Sequence, residues 1–245
     1  MKRTAAGIGA VLFDLDDTLV AFDAVTDSSW KQVCREFCLE NSRLEPEQLF
    51  MAIKEYSKWY WSDEERHRLG RNDLVTARRY IVSTVFKKLA LSEAKAVMLA
   101  DRYSQVRVDN MYLLEGAEEL LIALMERGVQ LALLTNGDSQ QQRRKLKRFC
   151  LEKYFNSILI EGETGIGKPD ARIYRMALAG LDVKPEQAVM VGDNLQWDVE
   201  APQQCGIFSI WHDWCGLGLP RNSRVRPDAV IRKPLELMSV PGFFD

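Results

Sequence analysis

Asp14, Asp16 and Asp17 place three carboxylates within four residues, straight after the apolar run Val11-Leu12-Phe13 and just before Thr18. Acids so close repel one another unless a cation or a shared proton compensates. Comparable polar breaks recur later: Thr135-Asn136-Gly137 after an apolar run, Lys168 between Gly167 and Pro169, Asp193 after Gly192, and Asp198 beyond it. Asp14, Asp16 and Asp193 offer hard oxygen ligands for a small divalent ion. Magnesium fits best, because it accepts few carboxylates and works beside phosphate oxygens. Asp14 could then stay ionised and attack phosphorus, forming an aspartyl-phosphate. Asp16 could protonate the leaving oxygen and later deprotonate the attacking water. The Lys168 ammonium would offset charge on nucleophile and phosphoryl group, and Thr135 could donate its hydroxyl to a phosphoryl oxygen. Backbone amides at Asn136 and Gly137, next to a helix start, would favour an anion. Singly, each residue has a plainer reading: Asp-x-Asp makes a turn, a threonine closes a strand, a lysine is solvated, and Asp198 is an ordinary helix acid.

The elements that must gather these residues read as an alternating α/β chain. Ala10–Phe13 does not alternate apolar with polar, as expected of a strand buried on both faces. Further strands are predicted at Val129–Leu134, Ser157–Ile160, Ala188–Val191, Phe208–Trp211 and Ala229–Ile231, with helices over Gly116–Arg127, Ser139–Phe149 and Ala171–Leu181 and a loop over Gly162–Pro169. Strands and helices alternating at this spacing imply a mostly parallel, doubly wound sheet. The carboxyl ends of parallel strands share one edge, where such sheets hold their ligands. Asp14/Asp16, Thr135/Asn136 and Asp193 should therefore converge.

Between Phe22 and Tyr112 helical periodicity replaces strands. Four amphipathic helices are predicted: one capped by Asp27 or Ser28 and carrying Trp30, Val33, Cys34 and Phe37; one entered at Pro46 with Leu49, Phe50, Ile53, Tyr56 and Tyr60; one capped by Asn72 or Asp73 with Leu74, Ala77, Tyr80, Ile81 and Phe86; and one from Ser92 with Val97, Met98 and Tyr103. Residues 1–21 and 111–245 thus read as a core domain and 22–110 as an inserted helical bundle. The aromatic run Tyr56, Trp59, Tyr60 and Trp61 reads as bundle core, and the charged run Glu64–Arg68 as a solvated face.

At 245 residues and 47% hydrophobic content, the chain can bury a core. A net charge of −2, from 33 basic and 35 acidic residues, gives no reason to expect a nucleic-acid polymer. Five scattered cysteines suggest free thiols in a reducing compartment, and only His67 and His212 are available for histidine chemistry, each reading as a surface or packed residue. Lys2 and Arg3 before Ala5–Phe13 faintly imitate a leader, but the run is short and acids follow at once. No run approaches the roughly 18 apolar residues of a membrane span. A cytoplasmic enzyme, monomeric or homodimeric and without a membrane partner, is the expectation.

The run Asp14-Leu-Asp16-Asp-Thr18, then Leu-Leu-Thr135-Asn136-Gly137, Gly167-Lys168-Pro169 and Gly192-Asp193-Asn-Leu-Gln-Trp-Asp198 resembles, in order, the four motifs of the haloacid dehalogenase-like (HAD) hydrolase superfamily. The resemblance spans about residues 8–212, and the helical insertion is similar to the family's first type of cap. It implies a Rossmann-like core with a mobile cap, Asp14 as nucleophile and Asp16 as acid/base. Magnesium would be held by Asp14, the Asp16 carbonyl and Asp193, and the phosphoryl group by Thr135 and Lys168. Asp198 would stand behind them as support, and Thr18 would hold the loop through its hydroxyl. True dehalogenases of the family generally lack the second acid, so Asp16 favours a phosphatase. Thr135–Arg143 is similar to the branch with N-acylneuraminate-9-phosphatase and the pyrimidine nucleotidases. The implied function is hydrolysis of a phosphomonoester of a small soluble metabolite, a sugar phosphate or nucleotide monophosphate. The alternatives are phosphoryl transfer as in a mutase, dehalogenation on the same fold, or a binding module that lost its chemistry.

Overall fold

A computed structural model describes residues 7–40 and 44–243; Lys2 and Arg3, weighed above as part of a leader, lie outside them. The chain separates into two compact units, one built around a sheet and the other, Phe22–Met111, helical.

The sheet unit contains six parallel strands: β1 (Ala10–Phe13), β2 (Gln130–Thr135), β3 (Ser157–Ile160), β4 (Ala188–Gly192), β5 (Phe208–His212) and β6 (Ala229–Ile231). Their order is β3-β2-β1-β4-β5-β6, which makes this an α/β Rossmann-like sheet. β1 is central, with every residue buried, as its unbroken apolar run requires. Phe13 pairs with Leu133 and with Val191, so the chain leaves β1 level with the ends of β2 and β4. Ala10, Leu12, Ala132, Leu134, Ala188 and Met190 point to one face and meet Ile173, Tyr174, Ala177 and Leu178 of a helix over Ala171–Gly180. The alternate strand positions face the other side, where a helix over Ala117–Glu126 contacts β2. The loop expected at Gly162–Pro169 opens with a helical turn, Glu161–Thr164. After β4 the chain forms a π-helical turn, Leu195–Glu200, which runs into a short helix, Ala201–Gln204; Pro202 sits in the first turn of that helix, where its missing N–H is tolerated.

Among the described residues the helical unit has five α-helices: α1 (Thr26–Leu39), α2 (Pro46–Trp61), α3 (Glu64–Asn72), α4 (Leu74–Lys88) and α5 (Glu93–Asn110). They enclose a separate apolar cluster that includes Val33, Phe50, Ile53, Ile81, Phe86, Leu99 and Tyr103, with the Trp30 and Tyr103 rings stacked at 3.6 Å. One helix more than predicted appears because α3 has no apolar periodicity; only Gly70 is buried along it, and Asp63 caps it by accepting the Arg66 amide. Asp73 caps α4 as predicted, whereas neither Asp27 nor Ser28 caps α1, which starts at Thr26. Tyr80 is 52% exposed, and α5 turns Ala96, Leu99 and Ala100 inward in place of Val97 and Met98. Tyr56, Tyr60 and Trp61 pack half-buried against the cluster, while Trp59 is half-exposed beneath the Arg66 guanidinium. Among the described residues no helix is long and apolar enough to cross a membrane.

Candidate active site

Asp14 is the first residue past β1. Its amide donates to the Val191 carbonyl at 2.9 Å, which ties the start of the loop to β4. Its carboxylate is buried and receives the Lys168 ammonium at 2.8 Å. Lys168 is only 2% exposed and also donates to Asp198 Oδ1 at 2.6 Å, so one buried cation serves two buried anions. The Asn136 side chain fixes the lysine's backbone from both sides, donating to its carbonyl and accepting from its amide at 2.7 Å each. Asp198 in turn accepts the Asn194 amide at 3.0 Å. Asp193 follows β4, and its carbonyl is held by the Trp211 indole at 2.7 Å.

Electrostatics set these groups apart from ordinary ion pairs. Burial, only partly offset by Lys168 and reinforced by Asp198 and Asp16, pushes the Asp14 carboxyl up to about 7. Burial and the nearby Asp14 and Asp198 likewise push Asp193 well above the usual carboxylate range. Burial works against the charge on Lys168, but Asp14 and Asp198 outweigh it and hold its ammonium above the usual lysine range. Carboxyl oxygens of Asp14, Asp193 and Asp198 lie within 4.8 Å of one another. One lysine against this many buried carboxyls leaves negative charge that a hard divalent cation would neutralise, so the donor set fits magnesium.

The remaining sequence candidates fall around this centre with altered partners. The Asp16 carboxylate is outside the three-acid group; Lys145 holds both its oxygens at 2.7 Å and Gln142 donates to one at 3.1 Å. The third acid of the group is Asp198, to which the family resemblance gives a supporting place. Gln142 Nε2 also faces the Thr135 hydroxyl and the Asn136 carbonyl, binding the end of β2 to the Asp16 loop. Gly137 does not present a free amide: its N–H donates to Glu161 at 3.0 Å. Thr18 does not hold the loop through its hydroxyl, which is buried and makes no hydrogen bond among the described residues. Backbone bonds from Leu19 and Val20 to Leu15 and from Asp17 to Val20 shape the loop instead, with Asp17 at a left-handed φ of 56°.

Gln142, Lys145 and Glu161 were not anticipated. Gln142 and Lys145 lie on the helix Ser139–Arg148, whose polar composition hides one buried polar stripe. The only sequence signal was their three-residue spacing, which puts both on one face of that helix. His212 is packed, as one of its two readings had it, and its Nδ1 meets the Asp17 carbonyl at 2.9 Å.

A family model for the haloacid dehalogenase-like hydrolases matches residues 8–206. The chain is 47% identical over 113 residues to a phosphoserine phosphatase of Thermus thermophilus, a match covering 46% of this chain and 44% of that protein. It is 32% identical over 210 residues to the pyrimidine 5'-nucleotidase PynA of Streptococcus pneumoniae, covering 83% of each. Its fold is shared with the HAD-hydrolase YfnB of Bacillus subtilis, solved bound to magnesium (TM-score 0.73, 21% identity, 96% of this chain and 98% of that one). With the four sequence motifs brought to one sheet edge and the family model covering most of its length, the chain belongs to the haloacid dehalogenase-like hydrolases.

Proposed function

We propose that the protein is a magnesium-dependent phosphatase that hydrolyses a phosphomonoester of a small soluble metabolite through an aspartyl-phosphate on Asp14. The observation that carries this reading is the buried Asp14 carboxylate at the end of β1, held by Lys168 beside Asp193 and Asp198. Asp14 Oδ1 is engaged by Lys168, which leaves Oδ2 to attack phosphorus in line with the departing oxygen. Asp16 donates the proton that the leaving alcohol needs and takes one from the water that then cleaves the acyl phosphate. Lys168 offsets the charge that builds on the phosphoryl oxygens. The Thr135 hydroxyl can turn from its neighbours to donate to one of them. Asp14, Asp193 and the Asp16 carbonyl would hold the magnesium, with Asp198 behind or beside them, and the ion supplies charge neutralisation for nucleophile and phosphoryl group.

The nucleotidase and phosphoserine phosphatase likenesses support a phosphate ester as substrate. Residues 22–110 act as the cap that selects the leaving group, a reading supported by the separate apolar core of the helical unit. The test is phosphate release from p-nitrophenyl phosphate with magnesium present and no acceptor alcohol. Wild type should turn over steadily and Asp14→Asn should fall to background; undiminished release by that variant would overturn the reading.

A further inference from the structure

The helical unit contains a buried cation that forms no ion pair among the described residues. Arg78, on α4, is 8% exposed, and of its five N–H groups one has a protein acceptor, the Ser104 hydroxyl at 3.2 Å. Among the described residues no carboxylate comes within ion-pair distance of it. A second buried guanidinium, Arg107 on α5, shares its surroundings, the two standing 5.3 and 5.9 Å from the centre of the Tyr103 ring. Arg107 is provided for: it donates to Asp23 at 2.7 Å and to the Phe22 carbonyl at 3.1 Å, and stacks on the Phe22 ring. Two guanidinium charges therefore face one carboxylate, and the excess sits on Arg78. Burial and the neighbouring Arg107 disfavour its charged form, pulling it down to about 10, still charged at neutral pH. An unpaired buried charge is among the costlier features a fold can carry. A planar fork of donors with one unbalanced positive charge, set against an aromatic ring, matches a monoanionic carboxylate on a small organic molecule.

We propose that Arg78 is the anion-recognition group of a carboxylate site in the helical unit. The carboxylate is that of a small organic acid bound by the helical unit itself. The test is malonate titration of the metal-free full-length protein, followed by thermal midpoint, with sodium chloride at matched ionic strength as control. Wild type should be stabilised by malonate beyond the salt control. Arg78→Met should have an unliganded midpoint equal to or above wild type, because an unpaired buried charge has gone, and should lose the malonate response. A wild type indifferent to malonate, or an Arg78→Met variant that responds as wild type does, overturns the proposal. So does a folded variant that is destabilised yet still responds. Should Arg78→Met fail to fold, Arg78→Lys decides: losing the fork should weaken malonate at least tenfold, and an unchanged response overturns the site.

Discussion

Replacing Gly192 by alanine should cost the sheet unit about 3–6 kcal/mol, although the change adds one methyl group. The backbone at Gly192 is ordinary strand, paired with Trp211, so alanine meets no conformational strain. The obstacle is space, because a Cβ there would lie far inside van der Waals contact with the Cβ, Cγ and Oδ2 atoms of Asp198. Asp198 cannot swing aside freely, since it accepts the Lys168 ammonium at 2.6 Å and the Asn194 amide at 3.0 Å. Hydrogen bonds involving charged groups contribute roughly 1.5–3 kcal/mol each, and displacing the side chain forfeits two. That is a large share of the roughly 5–15 kcal/mol that stabilises a typical domain. Urea unfolding followed by tryptophan fluorescence should show a lower midpoint at unchanged m-value. The decisive comparison is Asp198→Gly, which removes all three opposing atoms. In that background Gly192→Ala should cost less than about 1 kcal/mol, so the double-mutant cycle should show a coupling of several kcal/mol. Additive effects, or a Gly192→Ala cost below about 1 kcal/mol in the wild-type background, would refute the packing argument.

Other outcomes follow from the same geometry. Magnesium affinity, measured calorimetrically, should weaken about tenfold between pH 8 and pH 6, because the Asp14 carboxyl near 7 must be ionised to bind the cation; a flat profile would contradict it. The sign for stability is opposite: without metal, a carboxyl raised from 3.8 to about 7 makes the folded state lose stability as pH rises between those values. Added magnesium should restore most at the alkaline end. Lys145→Met frees the Asp16 carboxylate from its clamp. Its kcat/KM should drop about 10–100-fold on an alkyl phosphate, which needs a proton donor, and little on p-nitrophenyl phosphate, which does not; equal losses would mean that Lys145 does not position the acid. Thr18→Val removes a buried hydroxyl that has no partner and should leave stability unchanged or raise it by about 1 kcal/mol. A thermal midpoint several degrees lower would show that the hydroxyl is engaged after all.

What could be read from the sequence depended on whether a residue's environment was local. β1, β2 and β4 were legible because strands buried on both faces are unbroken apolar runs, and Asp14, Thr135 and Asp193 stand where those runs stop. Parallel pairing then brought the three strand ends together without further information. The partners of Asp16 were not legible. Lys145 and Gln142 belong to a helix so polar that its inward face cannot be told from its outward one. The same limit hid α3, which buries almost nothing, and misplaced Val97 and Met98, where small alanines took the inward positions. Asn136 stands where the β2 run stops, and its side chain braces the Lys168 backbone, a pairing across 32 residues that no local pattern encodes.

The His212 imidazole is buried between two carbonyls, Asp17 at 2.9 Å and Arg232 at 3.2 Å. Burial depresses its basicity despite both contacts, so the ring is neutral at physiological pH and carries a single N–H to share between them. Chain beyond residue 206, where the family model ends, thereby reaches back to the turn that carries Asp14 and Asp16. Shortening the protein to its recognisable portion would delete β5 and β6 and, with them, the imidazole that packs against the Asp17 carbonyl from β5.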